Sequence, residues 1–269
     1  MSEPLRSDAP AQGRIANRYD VLGRLGRGGM AVVYRVRDAQ TGCELALKQL
    51  RTLETQEKRD RSLGLFEREF HTLAQLAHPR VIAVYDYGLD EAGPYYTMEL
   101  LDGGDLLDRS PLPWREACRL LLDVCSSLAL LHSRRLLHRD VSPRNVRCTR
   151  DGSSKLIDFG AMTPMPGGGA VVGTPAFCAP ESLQRSALDA RADLFSLGAT
   201  LYYALTGRMA YPAQSFAEML DAFARKPSPP STRVADIPPA LDELVLSLLA
   251  TEPALRPRSA YEVMQRLSV

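Results

Sequence analysis

Three short apolar runs, Tyr19–Leu25, Val32–Val36 and Leu45–Leu50, are separated by glycine-rich or polar turns and read as successive β-strands. A charged stretch, Thr52–Asp60, then runs into Leu65–Leu76, where Phe66, Phe70, Leu73 and Leu76 fall at helical spacing. Ile82–Tyr87 and Tyr95–Leu101 read as two further strands joined by a turn at Asp90–Pro94. After Gly103-Gly104 the period changes. Trp114–Ser133 places Ala117, Leu120, Leu121, Val124, Leu128 and Leu131 on one helical face, and Leu194–Gly207, Phe216–Ala224, Leu241–Ala250 and Ala260–Leu267 read as further helices. A strand-rich first third followed by a helical remainder predicts an α+β protein of two lobes, 19–101 and 102–269. Residues 1–18 lack a periodic apolar pattern and read as a disordered polar tail. No internal repeat is visible, and Pro227–Pro239 reads as a rigid surface loop.

Composition narrows the function classes. The 269 residues are 45% hydrophobic, ample material for one large domain or two small lobes around a shared cleft. With 33 basic against 32 acidic residues, the charge gives no electrostatic case for nucleic acid or an anionic membrane. The five cysteines, Cys43, Cys118, Cys125, Cys148 and Cys178, form no Cys-x-x-Cys pair, which argues against disulfides or zinc and for a reducing cytoplasm. No apolar run reaches the roughly 20 residues of a membrane span, and Met1–Asn17 lacks the hydrophobic stretch of a signal peptide.

Gly26-Arg27-Gly28-Gly29-Met30-Ala31-Val32-Val33 lies between two strand patterns. Glycines let a backbone approach phosphates closely and turn its N–H groups toward them. A flexible hairpin turn would be spelled similarly. A dinucleotide-binding loop would instead open a helix, whereas Val32-Val33-Tyr34 continues as strand. Fifteen residues after Val33, Lys48 ends the apolar strand Leu45-Ala46-Leu47. It is either a strand-end lysine in solvent or a phosphate-binding cation paired with a helical carboxylate. Glu69 continues the face through Leu73; the competitor Glu67 lies about 200° away on the wheel.

His138-Arg139-Asp140-Val141-Ser142-Pro143-Arg144-Asn145, followed after a turn by Asp158-Phe159-Gly160, completes a series of ordered motifs running from about Tyr19 to Leu267. In this series the chain resembles a eukaryotic-type (Hanks-type) protein serine/threonine kinase. The resemblance implies a bilobal kinase fold, with a small β-rich N-lobe carrying one regulatory helix and a larger helical C-lobe. It also implies ATP with Mg²⁺, or alternatively Mn²⁺, and transfer to protein hydroxyls, the chain's own among the candidates. By this resemblance Asp140 would orient the attacking hydroxyl and take its proton, while Asn145 and Asp158 would hold the metal. Lys48, held by Glu69, would clamp the phosphates above Gly26, Gly28, Gly29 and Val33. Ala46 would lie against adenine, Met98 would guard the back of its pocket, Glu99 to Leu101 would bond it through the hinge backbone, and Asp105 would reach the ribose. Leu73, Val84, His138 and Phe159 would form the apolar stack coupling the lobes, and Asp193 would brace the catalytic loop. Gly173-Thr174-Pro175-Ala176-Phe177-Cys178-Ala179-Pro180-Glu181 resembles the end of an activation segment; Thr174 near Asp140 favours serine or threonine acceptors, and Glu181 would pair with Arg256.

Three departures qualify the resemblance. The third loop glycine is Ala31. Ser142 stands where a lysine usually neutralises the γ-phosphate; Arg144, two residues on, reads as the relocated cation. Arg147 replaces an apolar residue beneath adenine, and its stem would cover the ring while the guanidinium snorkels away. Ser142 and Arg147 sustain the alternative of a pseudokinase acting as a nucleotide-binding scaffold. The spelling Ser142-Pro143-Arg144-Asn145 points toward a bacterial, myxobacterial source. Between Ala161 and Pro180 no residue is charged, and Gly167-Gly168-Gly169 makes ordering costly. Phosphorylated Thr163 pairing with Arg139 would order the segment; the alternatives are a constitutively placed loop or one ordered by a regulatory protein or self-association.

Overall fold

The alternation of apolar and polar side chains along the first hundred residues is realised as one curled antiparallel sheet. The computed structural model describes residues 13–28, 30–51, 55–168, 172–184, 187–213 and 215–268. Strands β1 (Arg14–Ile15), β2 (Tyr19–Arg27), β3 (Ala31–Asp38), β4 (Glu44–Leu50), β5 (Val84–Asp90) and β6 (Gly93–Glu99) lie in the order β1-β2-β3-β4-β6-β5. Helix α1 (Gln56–Gln75) packs on this sheet, burying Phe66 with Leu50 and Tyr96 while Phe70, Val84, Tyr87 and Met98 cover the cluster. The helix starts inside the charged stretch, of which Thr52–Glu54 lie outside the described residues.

The chain orders earlier than residue 19. Residues 1–12 of the expected tail lie outside the described residues, but Arg14–Ile15 pairs with β2 and Ile15 is buried with Tyr19, Val36, Leu47 and Tyr95. A tight turn makes this possible: Ala16 and Asn17 take positive φ, and Arg18 N–H donates to Ile15 O at 3.1 Å. Burying one isoleucine against an aromatic cluster offsets the cost of ordering so short a strand.

Contacts divide the chain after Ala77, Val81 and Leu101, so that His78–Val81 belongs with the second unit and Ile82–Leu101 with the first. In the second unit, Leu156 N–H donates to Arg80 O at 3.0 Å and Ser127 Oγ donates to the same carbonyl at 2.6 Å. The remainder of this unit is helical: α2 (Leu106–Arg109), α3 (Trp114–Ser133), α4 (Pro180–Leu183), α5 (Ala190–Thr206), α6 (Phe216–Phe223), α7 (Pro239–Leu248) and α8 (Ala260–Leu267). Helix α5 is buried on every side, and α3 and α7 pack against it. Gly198 permits the α7 approach, since a Cβ there would stand 2.5 Å from Leu248 Cβ. Two short ribbons, β7 (Leu136–Leu137) with β10 (Thr163–Pro164) and β8 (Val146–Cys148) with β9 (Ser154–Leu156), frame the loops that carry the polar motifs. Pro227–Pro239 holds a single 3-10 turn, Pro230–Thr232, with Pro230 and Ile237 buried. All five cysteines are free, and among the described residues no helix is long and apolar enough to cross a membrane.

Candidate active site

In the first unit, strand register positions the polar groups. Val33 lies opposite Lys48, and Ala46 opposite Met98; with side chains alternating along each strand, these four share one face of the sheet. Lys48 Nζ donates to both carboxylate oxygens of Glu69, at 2.8 and 2.9 Å, with side chains only 16% and 4% exposed. Glu67 is turned away and accepts from the Tyr87 hydroxyl at 3.2 Å. At the β2–β3 turn, Gly26 pairs with Val33 and Gly28 N–H donates to Ala31 O at 2.9 Å. Gly26 does not take a positive φ, and a Cβ there would meet nothing within 4 Å, so neither backbone conformation nor packing asks for glycine. Gly29 lies outside the described residues. Ala31 is buried within β3. Glu99 N–H donates to Ala83 O, and its carboxylate accepts from Ala83 N–H at 2.7 Å, fixing the end of β6 two residues before Leu101.

In the second unit the polar groups sit on irregular backbone. Asp140 Oδ1 accepts from Thr174 N–H at 2.8 Å and Thr174 Oγ1 at 3.0 Å, and Oδ2 accepts from Asn145 Nδ2 at 2.8 Å. Burial pushes the Asp140 carboxyl above its ordinary value and nearby Asp158 adds to this, while the Thr174 bonds and His138 pull the other way. Asn145 Nδ2 also donates to Asp140 O at 2.8 Å, so its side-chain carbonyl is not used in this network. Asp158 takes φ 59° and its Oδ1 accepts from Gly160 N–H at 3.4 Å. An amide carbonyl and a carboxylate are hard oxygen donors that fit a divalent cation. Among the described residues no three acidic, histidine or cysteine side chains form a metal cage.

Asp193 holds the loop that carries Asp140. It is buried in α5; its Oδ1 accepts from Arg139 N–H at 2.8 Å, and its Oδ2 from His138 N–H and His132 Nε2, each at 2.9 Å. Burial raises the Asp193 carboxyl, but the His132 hydrogen bond and charge, with His138 and the Arg139 amide, outweigh it and leave the group below its ordinary value. This anchorage sustains the positive φ of 68° at Arg139. Asp140 N–H donates to His138 Nδ1 at 3.3 Å, His138 Nε2–H donates to Ile157 O at 3.2 Å, and the ring packs 4.8 Å from Phe159. Leu73 and Val84 belong to the first unit, where Leu73 is buried on α1 and Val84 covers the Phe66 cluster.

Arg256 is completely satisfied. Its guanidinium meets Glu181 at 2.5 and 2.9 Å, and its other N–H groups reach Ala250 O, Arg191 O and Thr251 O. Arg144 is exposed on the 3-10 turn Pro143–Asn145, whereas Ser142 is buried and its hydroxyl has no hydrogen-bond partner. Thr163 lies in β10 opposite Leu137, and Gly167 is pinned to Leu188 by two backbone bonds of 2.9 and 2.8 Å, so the described start of the segment is held by strand pairing.

Some features were invisible in the sequence. Arg147 does not simply snorkel away: its guanidinium lies 3.4 Å from Asp105, which also caps α2 by accepting from Asp108 N–H at 3.0 Å. Gly173 takes φ 95°, and a Cβ there would stand 2.6 Å from Arg139 O and 3.2 Å from Asp140 Oδ1. His132 bonds Asp193 across 61 residues. A glycine directly before Thr174 was the one local signal for Gly173; nothing local marked the others.

Comparison with known proteins fits this arrangement. A family model described as a protein kinase domain matches residues 19–267. The chain belongs to the protein kinase domain family. Its two units are accordingly the β-rich and helical lobes of the kinase fold, and family membership implies the use of ATP with a divalent metal ion. The kinase domain is 36% identical over 266 residues to "Serine/threonine-protein kinase PknB" of Mycolicibacterium smegmatis, covering 93% of this chain and 42% of that protein. It is 36% identical over 268 residues to "Probable serine/threonine-protein kinase SCO3848" of Streptomyces coelicolor, covering 93% and 39%. It is 35% identical to "Serine/threonine-protein kinase PknB" of Mycobacterium leprae, covering 93% and 42%. The kinase domain thus spans about two-fifths of the length of these bacterial relatives.

Proposed function

We propose that this kinase domain is catalytically active and transfers the γ-phosphate of ATP to serine or threonine hydroxyls of proteins. The observation that carries the reading is the Asp140 carboxylate, held at both oxygens by Thr174 and Asn145 and pushed above its ordinary value by burial. In this role Asp140 orients the acceptor hydroxyl and takes its proton. Thr174 and Asn145 fix the carboxylate, and Asp193 fixes the loop that bears it. Lys48, oriented by Glu69, offers its ammonium to phosphate oxygens beside the open glycine strip of Gly26 and Gly28. Val33, Ala46 and Met98 supply the apolar face for adenine, with Glu99 and Leu101 lending backbone groups. Asp105, steadied by Arg147, faces the ribose role with a neutralised carboxylate.

Asn145 and Asp158 are the residues that would hold Mg²⁺, whose charge, when present, offsets that of the phosphates. The exposed guanidinium of Arg144 serves as the cation that Ser142 does not provide. The domain's names among relatives favour a bacterial eukaryotic-type kinase; the myxobacterial pointer rests on the Ser142-to-Asn145 spelling alone. Free cysteines, four of them buried, favour a reducing, cytoplasmic setting.

The test is incubation with Mg²⁺ and γ-labelled ATP, alone and with a generic basic and a generic acidic protein, beside Asp140→Asn. Label appearing on serine or threonine and lost in the variant is the expected result. Mg-ATP binding without transfer would replace this reading with the pseudokinase.

A further inference from the structure

In the helical unit a cavity of about 590 Å³ opens between the C-terminal end of α5, the chain that follows it, and the end of α6. Its floor is aromatic and fixed. Tyr211 stacks on Phe195 at 5.9 Å, meets Phe223 edge-on at 5.0 Å and donates its hydroxyl to Leu249 O at 2.7 Å. Tyr202 is buried, and its hydroxyl accepts from Arg233 Nε at 3.2 Å. The rim is cationic: Arg208, Arg225, Lys226 and Arg233 all line the cavity and all are exposed. Among the described residues none that lines it is acidic, although Glu218 and Asp221 lie on the neighbouring helix. In a chain of net charge +1, four cations around one cavity are a local concentration.

One wall of the cavity touches the segment that bonds Asp140. Tyr203, half-buried in its wall, packs edge-on against Phe177 at 6.0 Å, and Phe177 ends the 3-10 turn capped by Thr174. Through Phe177 the cavity wall therefore adjoins the turn that bonds Asp140, which brings a substrate's flanking residues to this side of the helical unit. The cavity is of ligand size, and its cations are spread around a rim, an arrangement suited to several separate carboxylates along an extended chain.

We infer that this cavity is a specificity site that receives an acidic segment of the protein substrate, its Asp and Glu side chains meeting Arg208, Arg225 and Lys226. The inference rests on the kinase reading for the word substrate, but its binding step does not. A second consequence follows from the same charges: basic residues flanking the acceptor are repelled.

The experiment uses two fluorescently labelled serine peptides of equal length, one with Glu and Asp flanks and one with Gln and Asn in their place. Anisotropy titrations are run on the wild-type chain and on the triple variant Arg208→Ala, Arg225→Ala, Lys226→Ala; Arg233 is left because it bonds Tyr202. The expected result is about tenfold tighter binding of the acidic peptide at low salt, shrinking as salt rises. In the triple variant that preference disappears while the unfolding midpoint stays in place. Equal binding of both peptides, or a preference that survives in the variant, overturns the inference. So does exclusive binding of a control phosphoserine peptide. Phosphoryl transfer without acidic preference sinks this inference alone, whereas acidic preference without transfer to any peptide sinks the kinase reading alone.

Discussion

The two units hold their charged groups by different physics. In the β-rich unit, Lys48 and Glu69 are brought together by strand register and a single packed helix, and both ends of the pair lie on regular structure. In the helical unit, Asp140 stands on a loop with φ 68° at its neighbour Arg139 and is fixed by Thr174, 34 residues away, and by Asn145. Register tolerates local change, because many backbone bonds share the work. A loop tied at a few long-range points does not. Removing a group held on regular structure, such as Lys48 or Asp193 on α5, should therefore cost mostly stability, and removing the loop-borne Asp140 mostly rate.

The largest effect expected is on rate. Asp140→Asn should lower kcat by about 10²- to 10⁴-fold with only a small drop in unfolding midpoint, because the amide oxygen can still accept from Thr174 and only the bond from Asn145 Nδ2 to the second oxygen is lost. The acid limb of the wild-type pH profile should lie above the ordinary aspartate value of 3.8, with activity falling as pH drops through the raised Asp140 value. A limb at the ordinary value would show that burial does not act on this group in the working enzyme.

Lys48→Met should destabilise the first unit by about 3–5 kcal/mol, since it strands a buried carboxylate. Adding Glu69→Leu should restore most of the stability and none of the activity. Denaturant midpoints of the two variants, compared with their turnover, check both halves. Recovery of activity in the double variant would contradict the role given to Lys48.

Asp193→Asn should cost about 2–4 kcal/mol near neutral pH by weakening a buried, hydrogen-bonded charge. The folded Asp193 value is depressed, so its contribution is full above the unfolded value of 3.8 and is lost as pH falls through the lower folded value. The wild-type and variant stability curves should converge at that acid end. Parallel curves down to the lowest pH would show that the charge contributes nothing.

The smallest effect expected is from Gly173→Ala. A positive φ costs a non-glycine residue about 1–2 kcal/mol, and the added methyl would press on Arg139 O. Activity should fall about tenfold while the unfolding midpoint drops by less than it does in Lys48→Met. A midpoint shift as large as that of Lys48→Met would erase the contrast between the units.

Regular elements were legible in the sequence because their signal is local. Trp114–Ser133 and Ala260–Leu267 occupy the spans that their periodicity marks, and Glu69 lies on the face that continues through Leu73. The tail was misread at residues 14–18 because a two-residue strand has no period to detect; its cause is the distant cluster of Tyr19, Val36, Leu47 and Tyr95. Arg147 was read as a stem beneath adenine with its guanidinium snorkelling away, because the carboxylate it meets, Asp105, lies 42 residues away.

What the sequence determined by itself was the family and the change from strands to helices along the chain, since both are written in neighbouring residues and their spacing. Only the tertiary structure decided which carboxylate oxygen of Asp140 meets Thr174 and which meets Asn145. It alone decided that Gly173 has no room for a side chain, that His132 shares Asp193 with the catalytic loop, and that four cations gather around one aromatic cavity. These depend on where residues far apart in the chain come to rest, and that is set by the packing of whole elements around a buried core, which no short window of sequence contains.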